Sequence, residues 1–77
     1  MKRPVTELNV GKNAVIYGHN SEGAIRQRLL DLGLMPGVEI KLVRHAPMGD
    51  PVEIKVGMTS IVIRIAEAET VIVDASA

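Results

Sequence analysis

Apolar positions in this chain recur mostly at every second residue, and the stretches where they do so predict short strands. Asn13 to Tyr17 is a brief apolar run closed by Gly18, a length that suits a first strand. Further on, Val38, Ile40 and Leu42 alternate with Glu39, Lys41 and Val43, which predicts a strand with one buried face. Val52, Ile54 and Val56 repeat that pattern, and Val-Glu-Ile-Lys occurs at both 38–41 and 52–55. Antiparallel pairing of the two copies would bury their Val and Ile together and set Glu against Lys across the outer face. Gly57-Met58 is a turn signal leading into Ser60 to Ile65, where Ile61, Ile63 and Ile65 point one way. A short helical turn over 65–69 precedes a last strand, Val71 to Val73, and the polar end at 74–77 is expected to fray.

Residues 22–32 change period. Ala24, Ile25, Leu29 and Leu32 fall on one stripe at helical spacing, the mark of an amphipathic helix. Ser21 is suited to the N-cap, with Glu22 favoured in the first turn, and Gly33 is placed for a left-handed C-cap with Leu34 folding back. Pro36 prevents the helix from resuming. Five short strands with one helix after the first predict a mainly β (α+β) fold, a small, partly open barrel forming one domain over 1–77.

Composition sharpens this picture. Of 77 residues 18 are Val or Ile, and Tyr17 is the one aromatic, so β-branched aliphatics must build the core. The absence of cysteine excludes disulfides, iron-sulfur clusters and thiolate zinc sites. Nine basic side chains balance nine acidic ones, which removes the cationic excess a nucleic-acid binder uses against phosphates. The balance is uneven along the chain, since residues 1–30 hold five basic and two acidic side chains while 65–77 hold three acidic and none basic. Lys2, Arg3 and Pro4 are followed by no long apolar run, so neither a signal segment nor direct membrane insertion is expected and the chain reads as cytoplasmic.

Few motifs carry chemistry. Gly18 to Gly23 has the glycine spacing of a phosphate loop, but Ala24 and Ile25 stand where Lys and Ser or Thr are needed; its glycines serve a turn and a helix start, and no nucleotide site follows. His19 and His45 are the two imidazoles, and neither belongs to an i, i+4 ligand pair. The reading is therefore no cofactor, with His19, His45 and Asp50 the residues a weak transition-metal site would draw on. Arg28 lies inside the apolar stripe and Arg26 outside it, so the stem of Arg28 is expected to cover core while its guanidinium bonds loop carbonyls. Leu30 projects from the polar side of the wheel, either as an ordinary exposed leucine or as a docking contact. Residues 44–51, Arg-His-Ala-Pro-Met-Gly-Asp-Pro, carry two prolines around Met48 and Gly49. They read as a braced loop that serves turn geometry or presents Met48 to a partner.

Taken in order, Arg28-Leu29, Leu32-Gly33-Leu34, Pro36-Gly37, Ala46-Pro47-Met48-Gly49-Asp50-Pro51 and Arg64 with Glu67 and Ala68 resemble the FeoA family, ferrous iron transport protein A, from about Leu8 to Val73. The resemblance implies an SH3-like small barrel without enzymatic activity, whose motif positions here are Arg28, Gly33, Pro36, Gly37, Pro47, Gly49, Pro51 and Arg64. It also implies a cytoplasmic accessory, peripheral to the inner membrane through its partner, a membrane ferrous iron transporter with a cytoplasmic GTPase domain. True SH3 domains read proline-rich peptides through aromatic-lined grooves, which Tyr17 alone cannot build. The expectation is an interaction module that docks on and modulates the transporter, with Leu30 and Met48 as docking candidates and self-association left open. The alternative is a metal-responsive regulatory module that binds a transition metal directly.

Overall fold

The computed structural model describes residues 1–46, 48 and 50–75. Its strands are β1 (Lys2–Pro4), β2 (Asn13–His19), β3 (Glu39–His45), β4 (Val52–Val56), β5 (Thr59–Ile63) and β6 (Val71–Asp74). Helix α1 (Gly23–Asp31) lies between β2 and β3, α2 (Ile65–Ala68) lies between β5 and β6, and a 3-10 turn covers Val5–Glu7. The strands form one antiparallel sheet in the order β1-β6-β2-β3-β4-β5. The five expected strands are thus six, the helix follows the second, and the sheet does not close, ending at β1 and β5. β1 escapes sequence reading because Lys2-Arg3-Pro4 has no apolar alternation; Pro4 is tolerated there because an edge strand can spare an N–H.

Alternation produces the core as expected. Ile16 of β2, Ile40 and Leu42 of β3, Val52 and Ile54 of β4, Ile63 of β5, and Val71 and Val73 of β6 are buried together. The β3–β4 register differs from expectation by two residues: Leu42 faces Ile54 and Lys41 faces Lys55, so no Glu–Lys cross-strand pair forms. A two-residue shift keeps every buried face buried, so the hydrophobic pattern cannot tell the two registers apart. A shift in the ladder between Leu42 and Arg44 then brings Arg44 opposite Glu53, and the guanidinium Nε donates to Glu53 Oε1 at 2.9 Å.

Helix α1 stops through a complete Schellman motif. Gly33 N–H donates to Leu30 O at 2.9 Å and Leu34 N–H to Leu29 O at 3.1 Å, with Gly33 at φ +95°, where a Cβ would be strained. Leu29 and Leu34, which this motif folds together, are both fully buried. The helix start departs from expectation, since Glu22 holds the N-cap position without a side-chain bond and Ser21 lies one residue outside with its Oγ buried and unpartnered. Of the stripe, Leu29 is buried and Leu32 half-buried, whereas Ala24 and Ile25 are exposed. A Cβ at Gly33 would meet the Val56 side chain of β4 at 3.5 Å and Arg28 bonds Glu67 of α2, so α1 ends against β4 and is tied to α2. Ile65, expected both at the end of the strand from Ser60 and at the start of a helical turn over 65–69, lies in the turn: β5 ends at Ile63 and Ile65 opens α2.

The two ends of the chain meet. The Met1 ammonium bonds Asp74 Oδ1 at 3.0 Å and Ala75 N–H donates to Met1 O at 3.0 Å. The nearby positive charge, chiefly through this hydrogen bond, holds the Asp74 carboxyl below its ordinary value of 3.8. The end expected to fray is tied as far as Ala75; Ser76 and Ala77 lie outside the described residues.

Candidate interaction surface

Three segments far apart in sequence, α1, the 44–51 loop and α2, are joined through two carboxylates at the start of α2. Glu67, third residue of α2, accepts the Arg64 N–H on Oε1 at 3.2 Å and the Arg28 guanidinium on Oε2. Asp50, from the braced loop, accepts the Ile65 N–H on Oδ1 at 3.0 Å. The first turn of α2 thus receives two carboxylates, the sign its exposed N–H groups favour. Glu67 at the same time ties α1 to α2. Arg28 reaches this carboxylate and not the loop carbonyls expected of it; its side chain is 56% exposed while that of Glu67 is 12% exposed. The Arg64 side chain is exposed, and Arg64 and Arg28 line one shallow concavity with Asp50, Pro51 and Val62.

The loop at 44–51 is closed at its base by Ala46 N–H donating to Pro51 O at 2.9 Å. At its tip Met48 is 92% exposed, and Val62 on β5 is 56% exposed. Pro47 and Gly49 of the motif lie outside the described residues. Pro36 and Gly37 occupy the middle of a turn in which Val38 N–H donates to Met35 O at 3.1 Å. With Gly37 at φ +90°, Pro-Gly there has the signature of a type II turn. That turn is held to β2 by Gly37 N–H donating to Ile16 O at 2.8 Å. Leu30 is half-buried on α1, and Ile25 is the more exposed of the two.

The imidazoles are not brought together. The β2–β3 register pairs Ala14 with Ile40, which places His19 and His45 at opposite ends of that ladder. His19 Nε2 bonds the Leu34 carbonyl, so it carries a proton and braces the turn after α1. Asp50 is engaged with α2. Among the described residues no group of three or more His, Cys, Asp or Glu side chains is arranged to hold a metal ion. Gly18 to Gly23 does join a strand to a helix, yet supplies neither the lysine nor the hydroxyl of a phosphate loop.

Two features escape sequence reading. Val15 and Tyr17 project outward from β2, 41% and 60% exposed, with the Lys2 ammonium 4.5 Å from the ring centroid. Arg3 faces inward from β1, because it pairs with buried Val73. The Lys2 contact and the inward Arg3 both depend on the unforeseen pairing of β1 with β6.

A model of the FeoA domain matches residues 3–75. The chain is 40% identical over 48 residues to the Fe(2+) transport protein A/Fe(2+) transporter FeoB fusion protein of Porphyromonas gingivalis. That stretch covers 62% of this chain and 6% of the relative, so the chain spans a small fraction of that protein. Among solved structures it is similar to the FeoA protein of Chlorobium tepidum, with TM-score 0.85 and 39% identity, over 94% of this chain and 69% of the other. It is also similar to Stenotrophomonas maltophilia FeoA complexed with zinc, a procaryotic SH3 domain protein, with TM-score 0.79 and 35% identity, over 96% and 89% of the two chains. Among the described residues no helix is long and apolar enough to cross a membrane.

Proposed function

The chain belongs to the FeoA family, and on that premise we propose that it serves ferrous iron uptake as a non-enzymatic, SH3-like interaction module. In this reading it docks on a membrane iron transporter with a cytoplasmic GTPase domain and modulates it, held at the inner membrane through that partner. The observation that carries the reading is the P. gingivalis relative, in which a segment like this chain shares one polypeptide with an Fe(2+) transporter. A fusion gives two modules a high effective concentration of each other, an arrangement suited to partners that work in contact.

The docking surface we assign is the corner around Met48. An exposed methionine on a loop closed at its base offers an adaptable apolar contact, and Val62, which lines a concavity with Asp50 and Pro51 at the end of that loop, is also exposed. Leu30 is a secondary candidate, since a half-buried side chain has less surface to give. Passing detergent-solubilised membranes of the source organism over the immobilised chain tests the reading. The expected result is retention of the iron transporter, identified by mass spectrometry. A folded chain that retains no iron transporter contradicts it. The purified chain is expected neither to bind nor to turn over GTP, since the 18–23 loop has no lysine for the phosphates.

A second reading, direct transition-metal binding, draws support from the S. maltophilia relative solved with zinc. His19 and His45 stand too far apart along the β2–β3 ladder to share an ion, so on this chain each would need ligands from elsewhere. Calorimetric titration with Zn²⁺ and Fe²⁺ separates the readings: saturable one-to-one binding lost in His45→Ala supports the second.

A further inference from the structure

A cleft sharing no residue with the Met48 corner opens beside the N-terminal segment, and its chemistry is that of an anion receptor. Arg3, Val73 and Ile16 form one row across β1, β6 and β2. Val73 and Ile16 are 0% and 2% exposed, so Arg3 occupies a core-facing position. Its stem is half-buried and its Nε is out of water with no hydrogen-bond acceptor. Among the described residues the one hydrogen-bond partner of its guanidinium is the Met1 sulfur, 2.6 Å from Nη2 at an exposed position, and no carboxylate pairs with it. A long cationic side chain that merely covers apolar surface keeps its charged head in water; here the outer end of the guanidinium is exposed while Nε is buried, and a buried donor without an acceptor is costly and calls for one.

The cleft that Arg3 lines, of about 340 Å³, also contains Lys12, Glu7, Leu8 and Ala75. Lys12, like Arg3, has no carboxylate partner among the described residues, whereas the Met1 ammonium is neutralised by Asp74. Two cations against the one carboxylate of Glu7 leave a single net positive charge, which suits a monoanion and disfavours a phosphate dianion. The planar fork of a guanidinium matches a carboxylate, and Leu8 and Ala75 give the remainder of a ligand an apolar wall. We infer that this cleft binds a carboxylate carried on a short apolar group. Such a carboxylate is found both on free small acids and at the C-terminus of a polypeptide.

Titration of the ¹⁵N-labelled full chain followed by NMR tests this, with sodium butyrate as the first probe and N-acetyl-Ala-Leu as the second. Butyramide, the amidated dipeptide and sodium chloride at matched ionic strength are the controls. Saturable shifts are expected at the amides of residues 3, 7, 8, 12 and 75 with the two acids and not with the controls. Tighter binding of the dipeptide assigns the site to a polypeptide end, and tighter binding of butyrate assigns it to a small acid. Arg3→Gln should weaken binding at least roughly tenfold, the loss of a charge-assisted hydrogen bond. Glu7→Gln, at an exposed residue whose replacement leaves the fold intact, should tighten it by removing the opposing charge. Shifts that chloride reproduces, or binding indifferent to Glu7→Gln, overturn the inference whether or not Arg3→Gln folds.

Discussion

Arg28 spreads across α1 with 56% of its side chain in water and the Glu67 carboxylate against it, whereas Arg3 holds its Nε out of water on the inward row of β1 with no acceptor. The first arginine belongs to a corner whose carboxylates join elements: Glu67 joins α1 to α2, and Asp50 joins the braced loop to α2. The second lies in a region where the fold gains nothing evident from the charge. Paired and unpaired arginine charge therefore sit in different places. Around Arg28 the polar groups assemble the scaffold that holds Met48 out, while around Arg3 an unsatisfied donor waits on a ligand.

The largest effect expected from breaking this contrast is at Glu67. Glu67→Ala leaves both the Arg64 N–H and the Arg28 guanidinium without their acceptor and should cost about 1.5–3 kcal/mol in urea denaturation. Arg28→Ala should cost less, about 0.5–1 kcal/mol, because an exposed partner is screened by water. Equal losses for the two variants would mean that the ion pair alone, and not the α2 cap, carries the corner. Arg3→Leu should move the urea midpoint the other way, by about 1 kcal/mol of added stability, since an unpaired, partly buried charge gives way to apolar packing. A lower midpoint would mean that Arg3 is structural after all. Smaller still is Lys55→Glu, which turns the like-charge pair with Lys41 into an attractive one. It should add about 0.2–1 kcal/mol, fading as salt is raised.

Asp74→Asn should have the least effect and the most specific pH signature. The Asp74 carboxyl titrates below its ordinary value of 3.8 because of the Met1 ammonium, so its contribution is complete above that value and is lost as pH falls through the depressed one. Wild type and Asp74→Asn should therefore differ in thermal midpoint at neutral pH and converge in strong acid. A gap that persists in acid would assign the contribution to something other than the ion pair.

How much of this the sequence discloses varies with the kind of interaction. Helix α1 and its Gly33-Leu34 ending are legible because a left-handed glycine and a folded-back leucine are local signals. The inward faces of β3 and β4 are legible because alternation fixes them. The Lys41–Lys55 register is not, because alternation repeats every two residues and permits the shift. The fate of Ile25 is hidden too: the stripe gives a direction, but core covers only the C-terminal end of α1, where it meets β4, and reaches Leu29 and only partly Leu32. In the candidate site, the braced loop and the corner arginine are marked by proline, glycine and charge. Arg3 is invisible, since its inward position follows from pairing with Val73, which three residues without an apolar pattern do not announce.

The central claim, a docking module whose contact surface is separate from its core, is tested most directly by Met48→Glu. The variant is to be measured for thermal midpoint and for radiolabelled ferrous iron uptake in cells where it replaces the wild-type chain. Met48 is 92% exposed, so the midpoint should stay within the shift of a surface substitution, under about 0.5 kcal/mol, while uptake falls. Normal uptake by cells carrying a fully folded Met48→Glu chain would contradict the account.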